Sequence, residues 1–380
     1  MLSLDQVLIR GVDKIYPDKA ALEKLAGSRK IRVYLGVDPT GTRLHLGHTI
    51  PLRKLNEFAQ LGHEAILLIG TGTVLAGDPS QRAKAREKIT QKEIDENIKT
   101  WTGQAGKVID LSKVEIKQNG EWLLKLRLSD IIEIASHISA TQLFKRDMFQ
   151  RRIDAGDIVY YHETLYPLLQ GYDSVALDVD LEIGGTDQTF NMLIGRELMK
   201  KMKNKEKFVL TTPLINGTDG KPMSKSSGNC IWLDDSPNDI YGKILSLPDS
   251  EIEPYWTNLT DLKSDELKNL KPLDAKKKLA FEVVKQLNDE KTAQGAQEAF
   301  ENTFQKRETP QDVREIKVPD GTTITDLLTS NEIIASSTQV KNLIREKAIE
   351  IDGSIADNPK EQVKPGQLIK VGKKTFIKTT

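Results

Sequence analysis

The sequence predicts an α/β protein: a parallel-sheet domain, then a helical stretch, then a small α+β tail. Three observations predict it. Two segments, one from Arg32 to Leu61 and one from Val175 to Leu198, each read as strand, polar loop and helix start, the unit from which a parallel sheet is built. Past residue 230, apolar and charged residues recur at helical spacing. Beyond Thr323 come a further helical segment and two short strand–turn units.

In the first unit, Arg32-Val33-Tyr34-Leu35-Gly36-Val37 is β-branched and apolar, a buried strand, and Asp38-Pro39-Thr40-Gly41-Thr42 is dense in turn formers. From Leu46 the residues Ile50, Leu52, Leu55, Phe58 and Leu61 keep a helical period. His45-Leu46-Gly47-His48 therefore lies where a loop enters a helix N-terminus, which offers unpaired N–H groups and a positive dipole to phosphate. His45 and His48 share one face of that first turn. Gly47 removes a side chain between them, so a nucleotide can approach the backbone closely. A zinc site is not indicated, since the chain has five His and one Cys with no third ligand at a metal spacing.

The second unit runs from the alternating stretch Val175–Ile183, read as strand, through Gly184-Gly185-Thr186-Asp187-Gln188 into a helical run containing Phe190, Leu193 and Leu198. Its two glycines again permit close backbone approach. After the strand Phe208-Val209-Leu210 comes a polar, glycine-rich loop, Thr218 to Asn229, containing Met223-Ser224-Lys225-Ser226. Lys225 flanked by hydroxyl residues suits a loop that folds over a triphosphate. The histidine pair and this loop are about 180 residues apart. Together they read as one ATP-activating site assembled from two ends of a nucleotide-binding fold. No GxGxxG and no Walker A lysine loop occurs, against dehydrogenases and P-loop ATPases. Between the units, Tyr166, Gln170 and Asp173 fall on one helix face, with Leu165, Leu168 and Leu169 supplying a core side.

The two motifs resemble the HIGH and KMSKS signatures of class I aminoacyl-tRNA synthetases, and the chain resembles the bacterial tyrosyl-tRNA synthetases over almost its whole length. One departure stands out. The family usually has Lys directly before the Met, whereas this chain has Pro222 there and Lys221 one position earlier. The resemblance implies a Rossmann-like catalytic domain and a reaction of tyrosine with ATP, giving tyrosyl-adenylate and then tyrosyl-tRNA. It implies catalytic roles for His45, His48, Lys225 and Thr40. Tyr34, Asp78, Tyr166, Gln170, Asp173 and Gln188 would hold tyrosine: Tyr34 and Asp173 its phenol, Tyr166, Gln170 and Asp78 its ammonium. Gly36, Asp38, Gly47, Gly185, Asp187, Met223, Ser224 and Lys225 would contact ATP, and Asn119 would lie at the pocket rim. Mg²⁺ would accompany ATP on its phosphate oxygens.

The resemblance divides the chain into a catalytic domain with a dimerisation insertion (1–229), a helical anticodon-recognition domain (230–304), a linker (305–321) and an RNA-binding module (322–380). That last module resembles the one named after the fourth small-subunit ribosomal protein, with Lys341 and Arg345 on one helix face toward RNA phosphates. The expected partners are tRNA(Tyr), tyrosine and a second copy of the chain, whose contact would fall near Ser129–Gln150; Leu143 and Phe144 there equally suit a core. Lys plus Arg and Asp plus Glu each total 55, so net charge gives no push toward nucleic acid. The single Cys230 and the lack of a long apolar run or signal pattern predict a cytoplasmic protein without disulfides or membrane contact. Three rivals remain. A tryptophanyl synthetase shares fold and motifs, but an indole has no hydroxyl for Tyr34 and Asp173. A small-molecule adenylyltransferase needs neither the second motif nor an RNA module. A non-catalytic RNA-binding paralogue is kept open by Pro222.

Overall fold

The computed structural model describes residues 2–78, 90–144, 147–223, 227–302, 313–319, 321–331, 333–372 and 375–380. The chain forms two compact units, Met1–Gln294 and Gly295–Thr380. The first is built on a six-stranded sheet of β1 (Lys14–Tyr16), β2 (Arg32–Val37), β3 (Glu64–Ile69), β4 (Val114–Gln118), β5 (Leu181–Gly185) and β6 (Phe208–Thr212), in the order β1-β6-β5-β2-β3-β4. All neighbours run parallel except the edge strand β1, which is antiparallel to β6. Parallel strands covered on both faces need continuous apolar runs rather than alternation. Accordingly Ala65–Ile69 of β3 and all of β6 are buried.

Strand order reverses between β2 and β5, and the crevice beyond the carboxyl ends of such a pair is where open α/β sheets bind ligands. The helix Thr49–Gln60 follows β2 and turns Ile50, Leu52, Leu55 and Phe58 onto the sheet. The helices Tyr161–Leu177 and Thr189–Lys203 flank β5 and pack on each other. They approach closely at Gly171, where an added Cβ would lie 2.9 Å from Leu198 Cδ1 and 3.1 Å from the backbone nitrogen of Gly195.

The alternating run Val175–Ile183 is not one strand. Val175 to Leu177 complete the helix, Asp178 ends it in the left-handed conformation at φ 50°, and the strand begins only at Leu181. A short alternation cannot by itself be told from a helix end that meets a strand. The histidine motif also differs slightly from a plain helix start: Leu46–His48 form a single 3₁₀ turn before the α-helix.

After β6 and its loop, Ser236 caps the helix Pro237–Leu245 by accepting from the Asp239 N–H at 3.1 Å. The helices Ile252–Leu259 and Pro272–Leu287 pack with it around Ile240, Tyr241, Trp256 and Leu279, all fully buried. Among the described residues no helix is long and apolar enough to cross a membrane.

The second unit is a five-stranded sheet of β7 (Arg314–Ile316), β8 (Ile349–Ile351), β9 (Ser354–Ile355), β10 (Leu368–Val371) and β11 (Thr375–Thr379), ordered β7-β11-β10-β8-β9. The pair β7–β11 is parallel and the others antiparallel. Its core is Ile324, Leu328, Val340, Ile349, Ile369 and Ile377. Strand β7 lies inside the stretch 305–321 read as a linker; residues 305–312 and 320 of that stretch are outside the described residues. Lys341 and Arg345 are exposed on the helix Ser337–Arg345 while Val340 and Ile344 of the same helix are buried.

Candidate active site

The carboxyl ends of β2 and β5 bring the separate motifs to one place. Past β2, the Gly47 N–H donates to Nδ1 of His45 at 3.2 Å, and the His45 N–H donates to Nδ1 of His48 at 3.2 Å. An accepting Nδ1 carries no proton, so a neutral His45 ring holds its hydrogen on Nε2 as a donor. The rings tilt across each other with centroids 3.9 Å apart. At Gly36, near the carboxyl end of β2, an added Cβ would come within 4 Å of one side chain, the Tyr34 ring at 3.7 Å, so the strand end is open to an approaching ligand. Thr40 sits in the turn beyond it, its N–H donating to the Asp38 carbonyl at 2.7 Å.

The second motif is anchored on both sides. Asn216 bridges Pro222, and the Gly217 N–H donates to the Lys221 carbonyl at 2.7 Å. From the far side the buried Asn229 amide donates to Asp219 Oδ1 at 2.8 Å, the Pro222 carbonyl at 3.1 Å and the Lys221 carbonyl at 3.2 Å. Next, Leu46 N–H donates to Ile231 O and Leu233 N–H to Leu44 O, both at 2.9 Å, so Trp232 bridges His45 directly. Met223 is half-buried between these anchors. Ser224 and Lys225 lie outside the described residues.

The floor of the site is a chain of buried polar groups. Thr73 Oγ1 donates to Asp38 Oδ1 at 2.7 Å, and Asn119 Nδ2 donates to Thr73 Oγ1 at 3.0 Å and to Asp173 Oδ2 at 2.9 Å. Trp122 donates its indole N–H to the other Asp173 oxygen at 2.8 Å. Asn119, expected at the rim, is 1% exposed and belongs to this floor. Burial holds the Asp173 carboxyl well above the usual carboxylate range, with the Asn119 and Trp122 donors pulling it down. Tyr34 is fully buried beside it, its hydroxyl 3.0 Å from Ser174 Oγ, and burial pushes its phenol well up.

At the opposite end Tyr166 faces Asp38, and burial first, then the charges of Asp38 and Asp78, hold its phenol well above the ordinary value. Gln170 donates its amide to Glu182 Oε1 at 3.1 Å, leaving its buried Oε1 without a partner among the described residues. Gln188, in the 3₁₀ turn after β5, donates to Asp78 at 2.8 Å and to Asp187 at 2.9 Å. It thereby ties the two sides of the crevice together. Gly185 ends β5 beside Asp187. The crevice thus offers two distinct ends: a buried carboxylate with a phenol, and a cluster of acceptors suited to a cation. Among the described residues, no three His, Cys, Asp or Glu side chains converge as a metal site.

Several members of this site carried no signal of their own in the sequence: Thr73, Trp122, Ser174, Glu182 and Asn229. Trp122, three residues after Asn119, had the nearest thing to one.

This fold and crevice are those of an aminoacyl-tRNA synthetase: the chain belongs to the class I tRNA synthetases of the tryptophan and tyrosine type, whose family model matches residues 26–305. The tyrosine–tRNA ligase of Thermotoga maritima is 38% identical over 98% of this chain and 96% of its own length. That of Shewanella oneidensis is also 38% identical, over the full length of both. Within the class, the chain belongs with the bacterial tyrosine–tRNA ligases. A C-terminally truncated mitochondrial tyrosyl-tRNA synthetase from Aspergillus nidulans superposes with a TM-score of 0.66 at 23% identity, covering 77% of this chain and 91% of that one. That likeness shows the fold.

Proposed function

We propose that the crevice activates L-tyrosine with ATP and passes it to the terminal adenosine of tRNA(Tyr). The observation that carries the reading is the buried Asp173 carboxyl and the buried Tyr34 hydroxyl at one end, with the unpartnered acceptor Gln170 Oε1 at the other. A phenol hydroxyl fits the first end and an ammonium the second, with Tyr166 and Asp78 completing the latter. Phenylalanine would leave a buried Asp173 without its substrate partner, and a site built for a hydroxyl rejects the analogue lacking it; the tyrosine enzyme is itself the worked example of that rule.

In the first step the tyrosine carboxylate attacks the α-phosphorus of ATP and pyrophosphate leaves, so no enzyme nucleophile is needed. Holding the two reactants in line supplies much of the acceleration. Charge developing on the phosphates meets Nε2–H of His45, His48, Thr40, the first turn of the helix Thr49–Gln60, and Lys225. Gly36, Asp38, Gly47, Gly185, Asp187, Met223 and Ser224 line the ATP side in this reading, and Gln188 stands between Asp78 and Asp187 at the junction with tyrosine. Magnesium would accompany the ATP, mainly on its phosphate oxygens, and would neutralise part of their charge. Asp78 and Asp187 offer hard oxygen donors at the same mouth.

The remaining assignments belong to the same proposal. The domain division at 1–229, 230–304, 305–321 and 322–380 follows the family, with Lys341 and Arg345 placed toward RNA phosphate. A homodimer is supported by large apolar side chains left exposed near the Ser129–Gln150 stretch, Leu124, Leu128, Ile132, Ile158 and Tyr161 among them. Phe144 is exposed there too, whereas Leu143 is buried in the core. A cytoplasmic location fits the single buried Cys230. The test is charging of bacterial tRNA with radiolabelled tyrosine by the full chain. Tyrosyl-tRNA formation is the expected result, and charging with tryptophan instead would overturn the assignment.

A further inference from the structure

Beneath the amino-acid crevice lies a charge pair that the reaction as described does not use. Lys207 and Glu182 are 0% and 1% exposed, and the lysine Nζ donates to Glu182 Oε2 and, at 3.1 Å, to the Met192 carbonyl. Gly195 makes room for the ammonium, since a Cβ there would stand 2.6 Å from Nζ. The other Glu182 oxygen accepts from Gln170 Nε2 at 3.1 Å, and Ser174, whose Oγ is 3.0 Å from the Tyr34 hydroxyl, lies 3.5 Å from Oε2. One carboxylate therefore touches residues at both ends of the crevice.

An ionised carboxylate can only accept hydrogen bonds. Facing Glu182, the Gln170 amide must turn its NH₂ inward and its oxygen toward the crevice. That oxygen is a buried acceptor with no partner among the described residues. A buried anion next to a second carboxylate, Asp173, persists only if a cation balances it. Lys207 is that cation, itself pushed down by burial and held up by Glu182.

We propose that Lys207 and Glu182 are positioning residues for tyrosine: the ammonium keeps the carboxylate ionised, and the carboxylate holds Gln170 with its oxygen toward the substrate ammonium. This rests on the reading of the crevice as a tyrosine site. Removing Lys207 alone strands the anion, which takes up a proton and becomes a donor toward Gln170. In Glu182→Gln, the new amide oxygen turns to Lys207 and its NH₂ turns to Gln170. Either change flips the Gln170 amide. In the double variant Lys207→Met with Glu182→Gln, the new NH₂ has the vacated Met192 carbonyl as acceptor, and its oxygen is returned to Gln170.

The experiment is pyrophosphate exchange by the parent chain, the two single variants and the double variant, with KM determined separately for tyrosine and ATP. Exchange by the parent with tyrosine tests the crevice reading; the ratios among variants test the pair. Each single variant is expected to raise the tyrosine KM by about tenfold or more, the scale of one lost charged hydrogen bond, with the ATP KM within about twofold. The double variant is expected to return within about threefold of the parent. Single variants with unchanged tyrosine KM, or a double variant as impaired as either single, would overturn the proposal. Should a single variant fail to fold, the double variant decides by the same threefold criterion.

Discussion

Trp122 donates its indole N–H to Oδ1 of Asp173 at 2.8 Å, across fifty-one residues of sequence. With Asn119 on Oδ2, it opposes the burial that pushes this carboxyl up. Trp122→Phe removes the donor and keeps most of the packing. The expected outcome is a tyrosine KM raised by about tenfold in pyrophosphate exchange, as for a charged hydrogen bond of roughly 1.5–3 kcal/mol. The weak use of phenylalanine should hardly move, because phenylalanine makes no bond to Asp173. A parallel loss for both amino acids would place Trp122 in general packing.

Acidity should act on the same residue. Burial holds the Asp173 carboxyl well above the ordinary carboxylate range, and in the proposed reading the tyrosine phenol donates to its ionised form. Tyrosine KM is therefore expected to rise as pH falls through the raised value, approaching about tenfold per pH unit below it. Asp173→Asn should flatten that limb. The consequence for stability has the opposite sense. A carboxyl whose folded pKa is raised contributes stability that is fully present below the unfolded pKa and is lost as pH rises through the folded one. Melting curves of the parent and Asp173→Asn across that range check the sign.

Gly70 allows Asp38 to reach Thr73, because a Cβ at that position would overlap both the carboxylate and the Thr73 hydroxyl. Gly70→Ala forces one of them to move and breaks the chain that runs through Asn119 to Asp173. The cost should be about 1–3 kcal/mol of stability, as for other overpacked sites. The tyrosine KM should rise even at temperatures where the chain is fully folded. Denaturant titration alongside exchange separates the two effects.

Asn229 clamps the base of the second motif through Asp219, Lys221 and Pro222. Asn229→Ala removes the donor that these three acceptors share, a change of about 1–3 kcal/mol. Exchange should slow with a higher ATP KM, while the tyrosine KM stays within about twofold of the parent. An equal rise in both constants would mean that the clamp supports the whole crevice rather than its ATP side.

Much of this was legible in the residues. The Arg32–Val37 strand, the helix behind His45 and His48, and the shared face of Tyr166, Gln170 and Asp173 follow from period and turn chemistry, and all three are present. The floor was not. Thr73, the Asn119–Trp122 segment and Asp173 lie far apart in sequence and meet because β3 and β4 run in register and the helix Tyr161–Leu177 packs on the turn that starts at Thr73. Glu182 was hidden differently: within an alternating stretch a charged residue reads as solvent-facing, but a parallel strand has no solvent face. Its partner Lys207 stands just before another strand and carries no motif. The Val175–Ile183 stretch misled for a related reason, since two elements with different periods share it.

In the proposed function one crevice recognises the phenol hydroxyl of tyrosine and joins the tyrosine carboxylate to ATP. The most direct test is amino-acid-dependent exchange of pyrophosphate into ATP, with tyrosine, phenylalanine and tryptophan compared at equal concentration. Robust exchange with tyrosine and negligible exchange with the other two is the predicted result. Exchange that does not distinguish tyrosine from phenylalanine would contradict the roles given to Tyr34 and Asp173, whatever the fold.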